Sequence, residues 1–278
     1  MMGAMAAFTF NDTLIKAIGT SLPLSQILVL RGAMASLLIY AFARYQGSLH
    51  LRLDRRDWGL VTLRCLAEGG ATFLFLTALM RMPIANITAV LQMLPLTVTL
   101  GAALLFQEAV GWRRMLAILV GFCGMLLIVR PGPEGFDAAS FYALGAVACV
   151  TLRDLVTRRM SAAVPSMTVT VLASLSVLMF GIGYSFFQDW APVSAVQLSL
   201  LAGAACIILL GYLCSVMAMR VGDVAVVSPF RYTGLLWALI LGWLVFGDWP
   251  DMLTLMGGSL VVGAGLFTLY RERQQASG

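Results

Sequence analysis

Ten stretches of this chain are apolar for long enough to cross a bilayer, and short connections are all that separates most of them. They run at about 4–20, 23–43, 58–80, 84–106, 112–130, 139–158, 166–187, 195–219, 223–246 and 251–270. A hydrocarbon layer ~30 Å thick takes about 20 residues of helix. Backbone N–H and C=O groups inside it find no water, so each stretch is expected to satisfy them internally, as a helix. Composition points the same way: the 278 residues are 60% hydrophobic and only 11% charged, against roughly 25% charged in a soluble domain. The expectation is an all-α membrane protein of ten transmembrane helices. Only 44–57 departs from short turn chemistry, and its alternating apolar and charged residues read as a segment lying on the surface.

Charge orients these spans. Arg44, Arg52, Arg55, Arg56, Arg113, Arg114, Arg158, Arg159, Arg220, Arg271 and Arg273 fall in one alternating set of connections and ends, Arg81 and Arg130 in the other. The positive-inside bias puts the first set, and with it both termini, in the cytoplasm. The net charge of +5 is explained by these arginines and calls for no nucleic-acid partner. The first span carries Asn11 and Asp12 with no basic segment before it, so no cleavable signal peptide is expected. Cys65, Cys123, Cys149, Cys206 and Cys214 lie inside spans without metal-binding or redox spacing, and they read as free thiols. No cofactor is implied.

The two halves echo each other. Asn11-Asp12, Lys16 and Pro23 match Arg153-Asp154, Arg158 and Pro165. Arg81 matches Arg220, Phe106-Gln107-Glu108 matches Phe246-Gly247-Asp248, and Gly124 and Arg130 match Gly265 and Arg271, all at nearly constant separation. Each half holds five spans, and an odd number reverses the second copy in the membrane. The expected organisation is two inverted five-helix repeats, 1–135 and 136–278, around a central cavity.

Ionisable residues within spans are costly there and so are candidates for function. Arg231 is expected about 13 Å into the ninth span at ~1.5 Å per residue, where a guanidinium can neither face lipid cheaply nor lose its charge. Ser228, Arg231, Tyr232 and Leu235 would share one helical face. Asp12 and Lys16, four apart, can pair, with Asn11 beside them. Arg64, Glu68 and Thr72 form a stripe in the third span. Arg153 and Asp154 are neighbours pointing about 100° apart, so one is expected to pair across helices. Arg31 lies in the second span. Asn86 and Gln92 in the fourth, Tyr212 in the eighth and Trp237 in the ninth complete the candidates. Such a mixture of charges suits a zwitterionic ligand: arginine for a carboxylate, Asp12, Glu68 or Asp154 for an ammonium, aromatic rings for an apolar part. Each has a structural alternative, as a helix cross-link, a self-neutralised pair or ordinary packing.

Pro23 and Arg31 opening the second span, Pro95 through Phe106-Gln107-Glu108 closing the fourth, and the glycine-spaced fifth and tenth spans together resemble the drug/metabolite transporter superfamily in its ten-span EamA form. Asn11-Asp12, Lys16 and the stretch PFRYTGLLWA at 229–238 look more like a bacterial subgroup of amino-acid and metabolite exporters and S-adenosylmethionine carriers. Asp248 stands where many such relatives carry Glu. The resemblance implies a bacterial inner-membrane carrier, monomeric or homodimeric, with spans 1–4 and 6–9 lining the cavity and spans 5 and 10 peripheral. It would work by alternating access, with Pro83, Pro95 and Pro229 as hinge candidates. The expected function is secondary transport of a small polar or zwitterionic metabolite, an amino acid or derivative, by export. Uptake of S-adenosylmethionine or a similar cation, multidrug cation efflux and a ligand receptor that does not transport are the alternatives. Proton coupling and facilitated diffusion both remain open. An enzyme is not expected: the only histidine, His50, sits in a connection, away from any nucleophile–base set.

Overall fold

The computed structural model describes residues 1–47, 49, 53–107, 111–129, 138–161, 164–221 and 228–276. For Arg114, Val216, Met219–Val221, Ser228, Pro229, 271–273, 275 and 276 it describes the backbone alone. His50, Arg52, Glu108, Arg130, the turn at 131–133 and residues 223–227 lie outside the described residues. Every regular element among the described residues is helical: α1 (Met2–Ile18), α2 (Leu24–Tyr45), α3 (Arg55–Leu79), α4 (Ile84–Leu91), α5 (Leu94–Phe106), α6 (Trp112–Val129), α7 (Ala138–Arg159), α8 (Ser166–Ser185), α9 (Ala195–Val221), a 3₁₀ turn (Ser228–Tyr232), α10 (Thr233–Phe246) and α11 (Met252–Ala276). Seven segments are long and apolar enough to cross a membrane, α4 and α5 counting as one, and Met115–Val129 and Phe230–Phe246 are shorter apolar helices.

Of the spans expected to be continuous, the fourth is interrupted and the described part of the ninth opens as a 3₁₀ turn. In the fourth, α4 ends at Leu91 and α5 begins at Leu94. Pro95 has no N–H to give the Leu91 carbonyl, and its ring crowds that carbonyl, so the helix breaks one turn before it. In the ninth, the described chain winds as a 3₁₀ turn through Tyr232 before α10 begins. The 3₁₀ turn holds ~3 residues per turn rather than ~3.6; Tyr232 and Leu235 keep a common face, and the sharing expected of Arg231 with them does not survive. Tyr232 is buried with its hydroxyl against Gly265 of α11, and Leu235 packs toward Gly258 of the same helix. Arg231 is exposed. The far ends of the two broken spans match: α5 stops at Gln107 (φ 57°) and α10 at Gly247 (φ 70°). At Gly247 the left-handed residue lets its own N–H reach Trp243 O and the Asp248 N–H reach Gly242 O, each at 3.0 Å, which closes the helix.

The helices pack in pairs. α3 lies along α7 and α1 along α9; α2 lies along α8 and α6 along α11; α2 also meets α9, α3 meets α8, α1 meets α10, α5 meets α7 and α4 meets α10. One main core, including Ile15, Ile27, Leu28, Leu76, Leu79, Ile87, Met93 and Leu201, runs through the centre. The outside is also apolar, with Leu37, Leu66, Leu104, Met179 and Leu244 largely exposed, which suits contact with lipid rather than water. One end of the bundle carries Arg44, Arg55, Arg56, Arg113, Arg158 and Arg159. There Asp57 accepts from the Ser161 N–H at 3.2 Å. At the opposite end Gln26 makes a reciprocal pair with the Ala191 backbone at 2.8 and 3.0 Å, and Gln197 donates to Ser21 at 2.8 Å.

α6 and α11 come close enough for backbone to meet backbone, with Leu260, Val261, Leu127 and Ile128 packed around the contact. A Cβ on Gly124 would sit 2.7 Å from Gly257 O, and one on Gly257 would sit 2.5 Å from Gly124 O. Small residues let membrane helices come this close, and dispersion between the backbones then supplies the association. The seam joins these helices within one chain. Gly263, on the same helix, has open space where its Cβ would be. Gly124→Ala or Gly257→Ala should therefore force the helices apart and cost about 1–3 kcal/mol. Gly263→Ala should be neutral or gain up to ~1 kcal/mol of helix propensity. Thermal melts of the three purified variants check this, and equal midpoints would remove the seam's role.

Candidate functional site

The polar residues of the spans fall into three groups at different heights in the bundle. The largest joins both halves near the middle. Arg153 of α7 places Nη1 3.3 Å from both Glu68 carboxylate oxygens on α3, while its Nε donates to Asp154 Oδ1 at 2.9 Å. Arg64 Nη2 lies 3.7 Å from Glu68 Oε2, one turn away on α3, and Arg64 Nε donates to Thr157 Oγ1 on α7 at 3.1 Å. Tyr212 of α9 lies within electrostatic reach of Glu68, Arg153, Arg64 and Arg31. Arg31 of α2 in turn acts on Asp12 of α1, whose Oδ1 accepts from Asn11 Nδ2 at 2.9 Å.

Asp12, Glu68 and Asp154 thus stand against Arg31, Arg64 and Arg153, and formal charge cancels across α1, α2, α3 and α7. An arginine facing lipid at this depth costs at least ~2.5 kcal/mol, so the acids are what permit three of them. Pairing does not exhaust the guanidinium donors. Arg31 Nε and Arg64 Nη1 are buried without a hydrogen-bond partner, and so is Asn11 Oδ1. Two donors and an acceptor therefore remain to be satisfied beside a balanced set of charges.

Two expected pairings are corrected here. Asp12 and Lys16 do not pair with each other: Asp12 accepts from Asn11 and feels the charge of Arg31. Lys16 reaches the far end of the bundle, where Nζ donates to Met82 O at 2.6 Å, lies 3.9 Å from Asp248 Oδ2 and sits 5.1 Å from the Phe246 ring centre. The long lysine stem spans more than a helical turn, so it leaves the apolar layer for the polar edge. Arg153 and Asp154, expected to diverge, touch directly, because the arginine side chain is long enough to fold back while still reaching Glu68. The expectation that one of them pairs across helices holds.

The second group surrounds the two helix breaks. Gln92 Nε2 and Met5 of α1 are the nearest side chains to where a Cβ on Gly234 would lie, so the interruption of the fourth span faces the point in the ninth where the 3₁₀ turn gives way to α10. Arg231 sits just before Gly234, exposed and without an acidic partner among the described residues. Trp237 packs against Phe10 at 6.4 Å, and Phe8 meets Tyr212 edge-on at 5.7 Å, so aromatic rings of α1 bridge this group to the first. The side chain of Ser228 is outside the described residues. The third group, at the end opposite the arginines, contains Lys16 with Asp248, and Asn86. Asn86 lines a cavity of about 280 Å³ with Arg81, Ser140, Asp251 and Thr254, well away from Glu68.

Comparison with known proteins fits this arrangement. The model of the EamA-like transporter family matches twice, over residues 1–130 and 138–270. An S-adenosylmethionine uptake transporter of Rickettsia prowazekii is 24% identical over 99% of this chain and 92% of its own length. A riboflavin transporter of Vibrio cholerae is 27% identical over 94% and 89%, and a pseudopaline exporter of Pseudomonas aeruginosa 28% identical over 95% and 93%. A solved crystal structure shares the fold, with a TM-score of 0.69 at 18% identity over 98% of this chain and 96% of that one. With both halves matched by the same family model and an all-helical, apolar-surfaced bundle around paired charges, this multi-pass membrane protein belongs to the EamA-like transporter family.

Proposed function

We propose that the chain is a secondary transporter of a small zwitterionic metabolite, an amino acid or amino-acid derivative, working in the export direction in a bacterial inner membrane with both termini cytoplasmic. The observation that carries the substrate class is the balanced charge network with its unmet donors at Arg31 and Arg64 and unmet acceptor at Asn11. A carboxylate satisfies the donors, and an ammonium group satisfies the acceptor and nearby Asp12. A ligand of net charge would unbalance a set that already cancels. This weighs against efflux of hydrophobic cations, which needs an unpaired acid. Arg231, exposed and unpaired beside the facing helix breaks, lines the path in this reading, with Tyr232, Ser228, Gln92 and Trp237 around it. Glu68, Asp154 and Tyr212 join Asp12 and Asn11 at the binding group, and Lys16 and Asn86 belong to the outer end.

Uptake of S-adenosylmethionine is the second reading, favoured by the similarity to rickettsial transporters of that compound. It too presents an amino-acid head, and its base would stack on the rings near Tyr212 and Trp237; its sulfonium adds one net positive charge, which the balanced network counts against it.

Movement is assigned to two inverted repeats, 1–135 and 136–278, rocking about this site. Three features support the repeat. The family model matches each half. The helix pairings exchange into one another when halves are swapped, α3 on α7 becoming α9 on α1. The breaks and left-handed ends of the fourth and ninth spans fall at corresponding positions.

Purified protein in liposomes should give saturable flux of labelled amino acids or S-adenosylmethionine; a permeability equal to protein-free liposomes for every compound tried would sink the transport reading. Arg231→Ala should reduce that flux at least tenfold with an unchanged melting midpoint, and full flux would leave Arg231 a structural residue only. If Glu68 or Asp154 carries a proton, an imposed pH gradient should change the initial rate severalfold, whereas a rate indifferent to the gradient leaves facilitated diffusion.

A further inference from the structure

Away from the charge network, α6 and α7 diverge and leave a groove of about 400 Å³ between them. Met93 and Thr97 lie at its base, Phe122 and Met125 form one wall, and residues of α7 form the other. On α7, Leu144, Ala148, Thr151, Leu152 and Leu155 recur at helical spacing along one stripe, with Ala148 and Leu152 at the exposed rim. The only polar side chains lining it are Thr97 and Thr151, and they hydrogen-bond each other at 2.7 Å. The groove therefore asks nothing of water and offers a clean apolar surface.

Its length and its mouth say what fills it. From Leu144 to Leu155 the stripe runs about 16 Å at ~1.5 Å per residue, close to the ~15 Å of one hydrocarbon leaflet. One turn beyond Leu155, on the same stripe and at the arginine-rich end, stands Arg159. Its guanidinium lies 4.2 Å over the Phe106 ring and gives one hydrogen bond, from Nη2, to Leu105 O at 3.4 Å. Among the described residues no acceptor takes the remaining N–H groups of this five-donor fork. Arg158 lies next to it in the chain, and α6 begins beside exposed Trp112 with Arg113 over its ring at 5.4 Å, a combination that marks the headgroup level of a bilayer.

We propose that this groove is a binding site for an anionic phospholipid of the leaflet at the arginine-rich face, with one acyl chain between α6 and α7 and the phosphate on Arg159. The charge at the mouth selects the headgroup, and the dry groove holds the chain. The proposal is independent of what the protein transports.

Native mass spectrometry of the detergent-purified protein, titrated with phosphatidylglycerol and phosphatidylcholine of identical chains, tests it. The wild type should retain phosphatidylglycerol roughly fivefold better, the fold-change expected for one arginine at the headgroup level. Arg159→Gln should bring the two lipids level. Ala148→Phe, which fills the groove from its rim, should remove the tightest adduct of either lipid. Equal retention by the wild type, an Arg159→Gln variant with its preference intact, or a filled groove that still holds the adduct would each overturn the assignment. If Ala148→Phe yields no folded protein, Leu152→Trp at the exposed rim replaces it. Bromine-labelled phosphatidylglycerol should then quench the added fluorescence at lower lipid fractions than labelled phosphatidylcholine, and equal quenching overturns the site.

Discussion

Charge in a medium that cannot solvate it governs the interior of this protein. Glu68 is gripped by Arg153 through both oxygens and approached by Arg64, so α3 and α7 are bound by more than apolar packing. Lipid offers the helices no hydrophobic gain from meeting one another. Complementary charges give α3 and α7 a reason to meet in one register and no other. Removing one partner would strand the other in low dielectric, which is why such pairs specify an arrangement even where their net contribution to stability is small.

The same economy of polar groups explains the separation of the polar residues into levels. Where a side chain is long and near an end, it escapes, as Lys16 does toward Met82 and Asp248. Where it is held deep, it finds partners on other helices, as Arg153 finds Glu68. Between these levels the aromatic contacts of Phe8 with Tyr212 and Phe10 with Trp237 fill the space along α1. One helix thus touches the charge network, the facing breaks and the outer end.

Much of the fold was legible because apolar length and arginine placement are read directly from residues, and the spans expected at 84–106, 139–158 and 195–219 lie within or close to observed helices. The breaks were less legible. Pro95 and Pro229 marked both places in principle, but a proline alone does not say whether the run from Ser228 to Tyr232 winds as a 3₁₀ turn or an α-helix until its neighbours are present. The candidate charges were identifiable as residues and not as pairs. Spacing of four suggested Asp12 with Lys16, yet Lys16 goes to Met82 and Asp248 instead, because tertiary contacts lie outside any local period. Arg31, Arg64 and Arg153 were noticed as buried cations, but their grouping around Glu68 and Tyr212 depends on which helices adjoin, and one chain's periodicity is silent on that.

A rod that is whole from end to end carries a push at one membrane surface straight to the other. The fourth span is not such a rod: without a donor for the Leu91 carbonyl, its two pieces meet through a turn at Gln92 and Met93, where bonds such as Met93 N–H to Val90 O at 3.1 Å stand in for the regular α-helical ladder. Tilting of the piece nearer the arginines need not drag the piece nearer Lys16 along with it. The fourth span thus carries an elbow at mid-depth, facing the 3₁₀ start of the ninth, so that the tilt of one half of a helix is set apart from the tilt of the other.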